Sequence, residues 1–209
     1  MPNHPPKIIL YGIPGSGKDT HGNELSQLLG IPHFSIGQIL RDEIASGSEI
    51  GQYIKEFHDT GALVPGTTTT EILLKRLQTS ELQRSGYIIN GYPRTEEDFR
   101  YFFAHETPTH VLHLLISDEL ARSRMMKRGR EDDTPELINK RIERYHTRER
   151  VVCELIRTTT GVPVIEVDSS GIPSVVTRTM LACLPYGERS QSGSYTEVVE
   201  QAVREESGT

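Results

Sequence analysis

Ile8-Ile9-Leu10-Tyr11-Gly12-Ile13-Pro14-Gly15-Ser16-Gly17-Lys18-Asp19-Thr20 is the stretch that decides how this chain folds. Four apolar residues make a strand-length run and a glycine-rich turn follows. Leu25, Leu28 and Leu29 then share one face of a helix expected from about Thr20. Backbone amides can crowd around a phosphate only where no Cβ intervenes, which is what the glycines supply. The helix N-terminus adds a favourable dipole, and Lys18 adds a point charge. The pattern satisfies Gly-x4-Gly-Lys, with Asp19 where the general motif has Ser or Thr. It reads as a phosphate loop in which Gly15, Ser16, Gly17, Lys18, Asp19 and Thr20 surround bound phosphates.

Outward from the loop, four more apolar runs read as strands: Ile31–Phe34, Tyr87–Ile89, Val111–Ile116 and Val164–Val167. They do not alternate strictly, as expected of parallel strands covered on both faces. Ile72, Leu73 and Leu77 mark a helix between them. Thr134-Pro135 is an N-cap and N1 pair ahead of Ile138, Ile142 and Tyr145, which recur at i, i+4, i+7. Strands alternating with helices imply an α/β domain with a parallel sheet.

The chain of 209 residues fits one domain with a sizeable core, and 35% hydrophobic and 25% charged residues are ordinary for a globular protein. No segment reads as a membrane span or secretory signal. Cys153 and Cys183 form no CxxC pair, which suits a cytoplasmic protein. The net charge of −6 argues against a general nucleic-acid binder. Even so, ten of the 23 basic residues lie between Arg122 and Arg150, a cluster that suggests a local polyanion site if it is not a salt-bridged helix face. Residues 186–209 turn to Ser, Glu, Gln and Gly and read as a polar tail with a short helix near Thr196–Arg204.

Five segments together resemble the adenylate kinase family, including its uridylate/cytidylate kinase relatives. They are Gly12–Thr20, His33–Arg41, Gly61–Pro65, Gly86–Thr95 (with Asn-Gly-Tyr-Pro-Arg-Thr for the usual Asp-Gly-Phe-Pro-Arg-Thr), and Arg124–Asp133 followed by Arg141. The resemblance implies a P-loop NTP-binding fold, a five-stranded parallel sheet wrapped by helices, over about residues 1–185. It also implies a helical monophosphate-binding insert near 35–64 and a lid of the short type near 127–133. The activity implied is transfer of a phosphoryl group from Mg·ATP to a nucleoside monophosphate by a monomeric enzyme, with AMP the first expectation.

Carried over residue by residue, the resemblance makes Lys18, Arg94, Arg128, Arg130 and Arg141 the catalytic cations. Gly15 to Thr20, Arg128 and Ile172 would hold ATP. Ile36, Arg41, Ala62, Leu63, Val64, Gly91, Tyr92, Pro93, Arg94, Asp98, Arg130 and Arg141 would hold the monophosphate, with Asp98 where the family reads the acceptor base. Charge spread over the transferring oxygens calls for such positioned cations, and arginine binds phosphate bidentately.

Several positions depart from the family pattern: Asp19 for Gly, Ile36 for Thr, Gln38 for Asp, Gly66 for Asp, Asn90 for Asp and Asp98 for Gln. Asn90 removes a carboxylate that helps hold hydrated Mg2+, and Asp19 is expected to restore it, both acting through water. Three alternatives stay open: a CMP- or GMP-preferring kinase, a nucleotide-binding sensor that has lost catalysis, and a different small-molecule kinase such as a thymidylate kinase.

Overall fold

The computed structural model describes residues 4–60, 62–130 and 133–186. Five strands, β1 (Lys7–Gly12), β2 (His33–Ser35), β3 (Tyr87–Asn90), β4 (His110–Leu115) and β5 (Val164–Asp168), form one all-parallel sheet in the order β2-β3-β1-β4-β5. Among the described residues the helices are α1 (Lys18–Leu29), α2 (Ile36–Ser46), α3 (Glu49–Thr60), α4 (Gly66–Leu77), α5 (Ser80–Ser85), α6 (Glu96–Phe103), α7 (Asp118–Arg128), α8 (Pro135–Arg144), α9 (Arg150–Thr159) and α10 (Pro173–Ala182). A π turn, Tyr145–Glu149, joins α8 to α9.

Successive residues of a strand face opposite sides of a sheet. Ile9 and Tyr11 of β1 therefore join one core layer with Leu73, Leu77, Ile89, Phe102 and Ile156, while Ile8 and Leu10 join the other with Leu25, Ile88, Leu112, Val167 and Met180. A third cluster, Ile13, Ala121, Met125, Ile138, Ile142 and Tyr145, backs the loop after β1. The register aligns Ser35 and Leu10 with Asn90, and Gly12 with Leu114, so the carboxyl ends of the strands open on one common edge. That edge is where open parallel sheets take ligands.

The expected strands are present; β4 ends at Leu115, one residue before the expected Ile116, and the start of β2 shifts as well. Ile31 lies outside β2: its N–H bonds to Ser26 O at 3.2 Å just after Gly30, whose left-handed conformation ends α1. Ile31 thus belongs to the helix stop, and pairing begins at His33. The predicted Thr134 cap forms, its side chain accepting from Leu137 N at 3.3 Å with Pro135 next in line. The expected tail helix near Thr196–Arg204 lies outside the described residues.

Candidate active site

The loop from Gly12 to Lys18 curls at the end of β1. Gly15 (φ +91°) and Gly17 (φ +87°) adopt left-handed conformations, and a Cβ at Gly15 would stand 2.6 Å from Ala121 O. No other residue fits that cradle without displacing α7. Ser16 is fully buried; its carbonyl accepts from the Ser169 hydroxyl, and its own Oγ has no hydrogen-bond partner. An unsatisfied buried hydroxyl inside a glycine cradle fits a phosphate oxygen.

Lys18 donates to Gly12 O at 2.5 Å and Ile13 O at 3.0 Å. Burial pushes its amine down to about 8; Glu149 and Asp19 resist, while Arg94 and Arg128 push the same way as burial.

Asp19, in the first turn of α1, meets Asn90 at the end of β3. Asn90 Nδ2 donates to Asp19 Oδ1 at 2.9 Å and lies 3.1 Å from His33 Nε2. The other oxygen of Asp19 pairs with Arg130 at 3.4 Å. Burial raises the Asp19 carboxyl, but hydrogen bonds from Asn90 and Ser35 and the charges of Arg130 and Lys18 outweigh it and hold the group below its ordinary value. The two departures singled out in the sequence are therefore direct neighbours.

The expected lid arginines share an organiser that sequence reasoning missed. Asp133 is buried, and Arg128 grips it bidentately (2.9 and 2.8 Å) while Arg141 Nη1 binds it at 2.8 Å. The Arg130 N–H adds a contact at 3.2 Å. Burial raises the Asp133 carboxyl, and the Arg128 bond and charge, the Arg130 amide and Arg141 more than reverse that. Two more arginines went unassigned in the sequence. Arg124 donates to Ser169 O (3.0 Å) and Ser170 O (3.2 Å), fixing the loop that carries Ile172. Ile172 is exposed and lines an open groove of about 620 Å3 with Thr20, Asn23, Glu24, Gln27 and Pro173. Arg144, half-withdrawn from water, lies near enough to Arg94 and Arg141 that their charges, after burial and Arg94 foremost, depress its guanidinium.

Of the arginines expected to hold the acceptor, Arg94 follows the Tyr92–Pro93 bond, which is cis, and its Nε donates to Gly91 O at 2.6 Å. Arg41 lies on α2, where Gln38 Oε1 accepts from its Nη2 at 2.7 Å. Ala62, Leu63 and Val64 lie between α3 and α4 outside any helix or strand, Ala62 exposed and the others half-buried; Gly61 lies outside the described residues.

Three residues expected on the acceptor side are buried. Ile36 and Tyr92 are core residues, each 1% exposed; Tyr92 OH meets Thr70 and donates to Gly66 O, so its side chain faces inward. Asp98 is buried as well. Its Oδ2 accepts from Arg94 N at 2.9 Å and Thr95 N at 3.0 Å, while Thr95 Oγ1 accepts from Asp98 N at 3.1 Å. This capping box starts α6, and its spacing, Thr95-x-x-Asp98, was legible in the sequence. The carboxylate braces the Arg94 loop and does not stand open to read a base. Burial raises its carboxyl, opposed by those backbone donors.

Comparison with known proteins agrees with this geometry. The family model described as "Adenylate kinase" matches residues 10–160. An adenylate kinase of a Cyanothece species is 36% identical over 148 residues, covering 66% of this chain and 75% of the relative. That of Leuconostoc mesenteroides is 34% identical over 140 residues (65% and 74%), and that of Trichodesmium erythraeum 32% over 158 residues (71% and 82%). With a family model matching residues 10–160 and relatives more than 30% identical, the chain belongs to the adenylate kinase family.

Proposed function

We propose that this nucleoside-monophosphate kinase moves the γ-phosphoryl group of Mg·ATP onto AMP, giving two ADP. The observation that carries the reading is the convergence at the carboxyl edge of the sheet. There the loop after β1 holds the unpartnered Ser16 hydroxyl and part-buried Lys18, the charges of Arg94 and Arg128 act on Lys18, and Arg128 and Arg141 meet on Asp133. The names of the relatives supply AMP as acceptor.

In this reading Gly15, Ser16, Gly17 and Thr20 cradle the donor phosphates, and Lys18 leaves its carbonyl partners to track the transferring group. Arg94 and Arg41 clamp the acceptor phosphate; Arg128, Arg130 and Arg141 close from the lid side. Little covalent chemistry falls to the protein, so positioned positive charge supplies the rate. The helices α2 and α3 serve as the monophosphate-binding insert, with Ala62, Leu63 and Val64 at the acceptor base, and 127–133 serves as the lid. Ile172 flanks the donor base.

Asp19 is a hard carboxylate held ionised beside the loop, which fits a hydrated magnesium ion, and Asn90 orients it. When bound, Mg2+ neutralises developing charge on the phosphate oxygens. We read the protein as a cytoplasmic monomer; no helix among the described residues is long and apolar enough to cross a membrane.

The test is a coupled turnover assay with Mg·ATP against AMP, CMP, UMP, GMP and dTMP. AMP should give the highest kcat/KM. Absence of turnover with every acceptor would replace this reading with that of a nucleotide-binding sensor.

A further inference from the structure

Leu25 of α1 joins Val176 and Met180 of α10 in one apolar cluster. Apolar contact is non-directional and leaves such a seam without a fixed register. One turn nearer the phosphate loop the seam holds a polar knot instead. Thr177 is fully buried, and its Oγ1 lies 2.9 Å from His21 Nδ1, 2.5 Å from Glu24 Oε2 and 3.1 Å from Pro173 O. The Glu24 carboxylate and the Pro173 carbonyl can only accept, so the single hydroxyl proton goes to them, and Oγ1 takes the His21 Nδ1–H. The other side of the buried imidazole lies against the last glycine of the loop: a Cβ at Gly17 would stand 2.9 Å from Nε2 and 3.0 Å from Cδ2. Through one ring, α10 therefore reaches the phosphate loop. The stretch before α10 is tied to the same loop, since the Ser169 hydroxyl donates to Ser16 O. Glu24 and Pro173, both partners of Thr177, line the groove beside Ile172. Buried polar groups stabilise a seam no better than apolar ones of the same shape. What they add is direction.

We propose that His21 and Thr177 are positioning residues of the donor site: their hydrogen bond sets the spacing between the phosphate loop and residues 169–172, so that the phosphates and the base of one ATP are engaged together. The proposal rests on the reading above, in which Ile172 flanks the donor base. Neither residue touches the nucleotide in this account; His21 acts through Gly17 and Thr177 through the start of α10. A fixed spacing enters the affinity of a ligand that must reach both ends and leaves untouched one that uses a single end. ATP is a ligand of the first kind, and inorganic tripolyphosphate is one of the second.

The experiment is calorimetric binding of ATP and of tripolyphosphate, each with Mg2+, to wild type, Thr177→Val, His21→Leu, the double variant and His21→Asn, beside the melting temperature of each. Thr177→Val keeps the shape and removes the hydroxyl. Thr177→Val and His21→Leu should each weaken ATP by about 5-fold, the worth of one hydrogen bond, and tripolyphosphate by less than about 2-fold. The double variant should weaken ATP no further than about 5-fold, because both changes break the same bond. His21→Asn, whose amide can donate in place of Nδ1–H, should stay within about 2-fold of wild type for both ligands. The KM for AMP should move by less than about 2-fold throughout. A merely structural knot would lower the melting temperatures and leave the ratio of ATP to tripolyphosphate affinity in place, and that result overturns the proposal. So does equal weakening of the two ligands, which would make the imidazole a prop of the loop alone. If Thr177→Val does not fold, the contrast between His21→Leu and His21→Asn carries the test, and equal ATP affinity in those two overturns the proposal. Wild type that binds tripolyphosphate no more weakly than ATP would instead remove the donor-base reading on which it rests.

Discussion

Replacing Gly66 by alanine puts a methyl group where the Asp98 carboxylate is. Gly66 opens α4 without a positive φ, so alanine carries no backbone penalty there, and the cost is steric. The new Cβ would lie 2.0 Å from Asp98 Oδ1. The carboxylate cannot simply swing aside, because Oδ2 is bound to two amides at 2.9 and 3.0 Å. If the start of α4 moves instead, it strains the bonds that Thr70 (2.7 Å) and Tyr92 (3.3 Å) make to Gly66 O. Overpacking of this kind costs about 1–3 kcal/mol, and orphaning a buried amide costs a similar ~1–3 kcal/mol. Gly66→Ala should therefore lose about 2 kcal/mol, and Asp98→Ala about 2 kcal/mol through the lost cap. In the double variant the clash is gone, so the total should be about 2 rather than about 4 kcal/mol, a coupling of about 2 kcal/mol. Urea unfolding of the four proteins measures this. Additivity to within ~0.5 kcal/mol would refute the claim that the carboxylate is pinned. The kinetic arm compares CMP with UMP, which differ at one exocyclic group. Asp98→Ala should weaken acceptor binding through the loosened Arg94 loop while changing the CMP-to-UMP ratio by less than about 3-fold. A change of about 10-fold or more would return Asp98 to base reading.

Three further outcomes follow from the site. Lys18→Ala and Arg94→Ala should each lose at least about 100-fold in kcat/KM with the fold retained, as expected on removing a preorganised charge; circular dichroism and turnover check both halves. Asp19→Gly should raise the Mg2+ concentration needed for half-maximal turnover, and adding Asn90→Asp should largely restore it; an unchanged requirement would leave Asp19 as a helix N-terminal charge only. Asp133→Asn should lower stability by about 2–3 kcal/mol at neutral pH, less than a fully buried pair because the arginines can partly rehydrate. The Asp133 carboxyl is held below its ordinary value in the folded state, so its contribution is complete above the unfolded pKa and disappears as pH falls through the folded one. Melting curves of the two proteins should converge in acid.

The glycine loop, the five strands and the arginines that gather on Asp133 were legible because each rests on local pattern: glycines at fixed offsets, apolar runs of strand length, cations within quoted motifs. The organisers of those cations were not. Asp133 ends a Glu-Asp-Asp run that reads as solvated surface, and only the return of α8 brings Arg141 back onto it. Glu149, 3.5 Å from Arg144, sits among alternating charges, and nothing in that stretch announces a π turn, which changes which residues face each other without changing the sequence pattern. Asp98 is the opposite case: the resemblance suggests a ligand contact, while the local cap signal, Thr95 three residues earlier, already gives the carboxylate a place.

The contact between Asp19 and Asn90 bears on how such a sequence can change over time. Scored one position at a time against the family pattern, Asp19 and Asn90 count as two defects, as do Gly66 and Asp98. In space each is one exchange, a carboxylate that has changed owner across a contact of 2.9 Å in the first case and an abutting pair in the second. The route between the two arrangements is narrow. A variant with acids at both 19 and 90 would oppose like charges at hydrogen-bond distance, and one with neither would leave Arg130 without its partner on α1. Of the two single steps, the one that keeps two acids is tolerable only while a cation occupies the space between them. Substitutions imported into this chain from its relatives should accordingly travel in pairs, and a damaging single exchange at either position says little about whether the residue it introduces is suited to the fold.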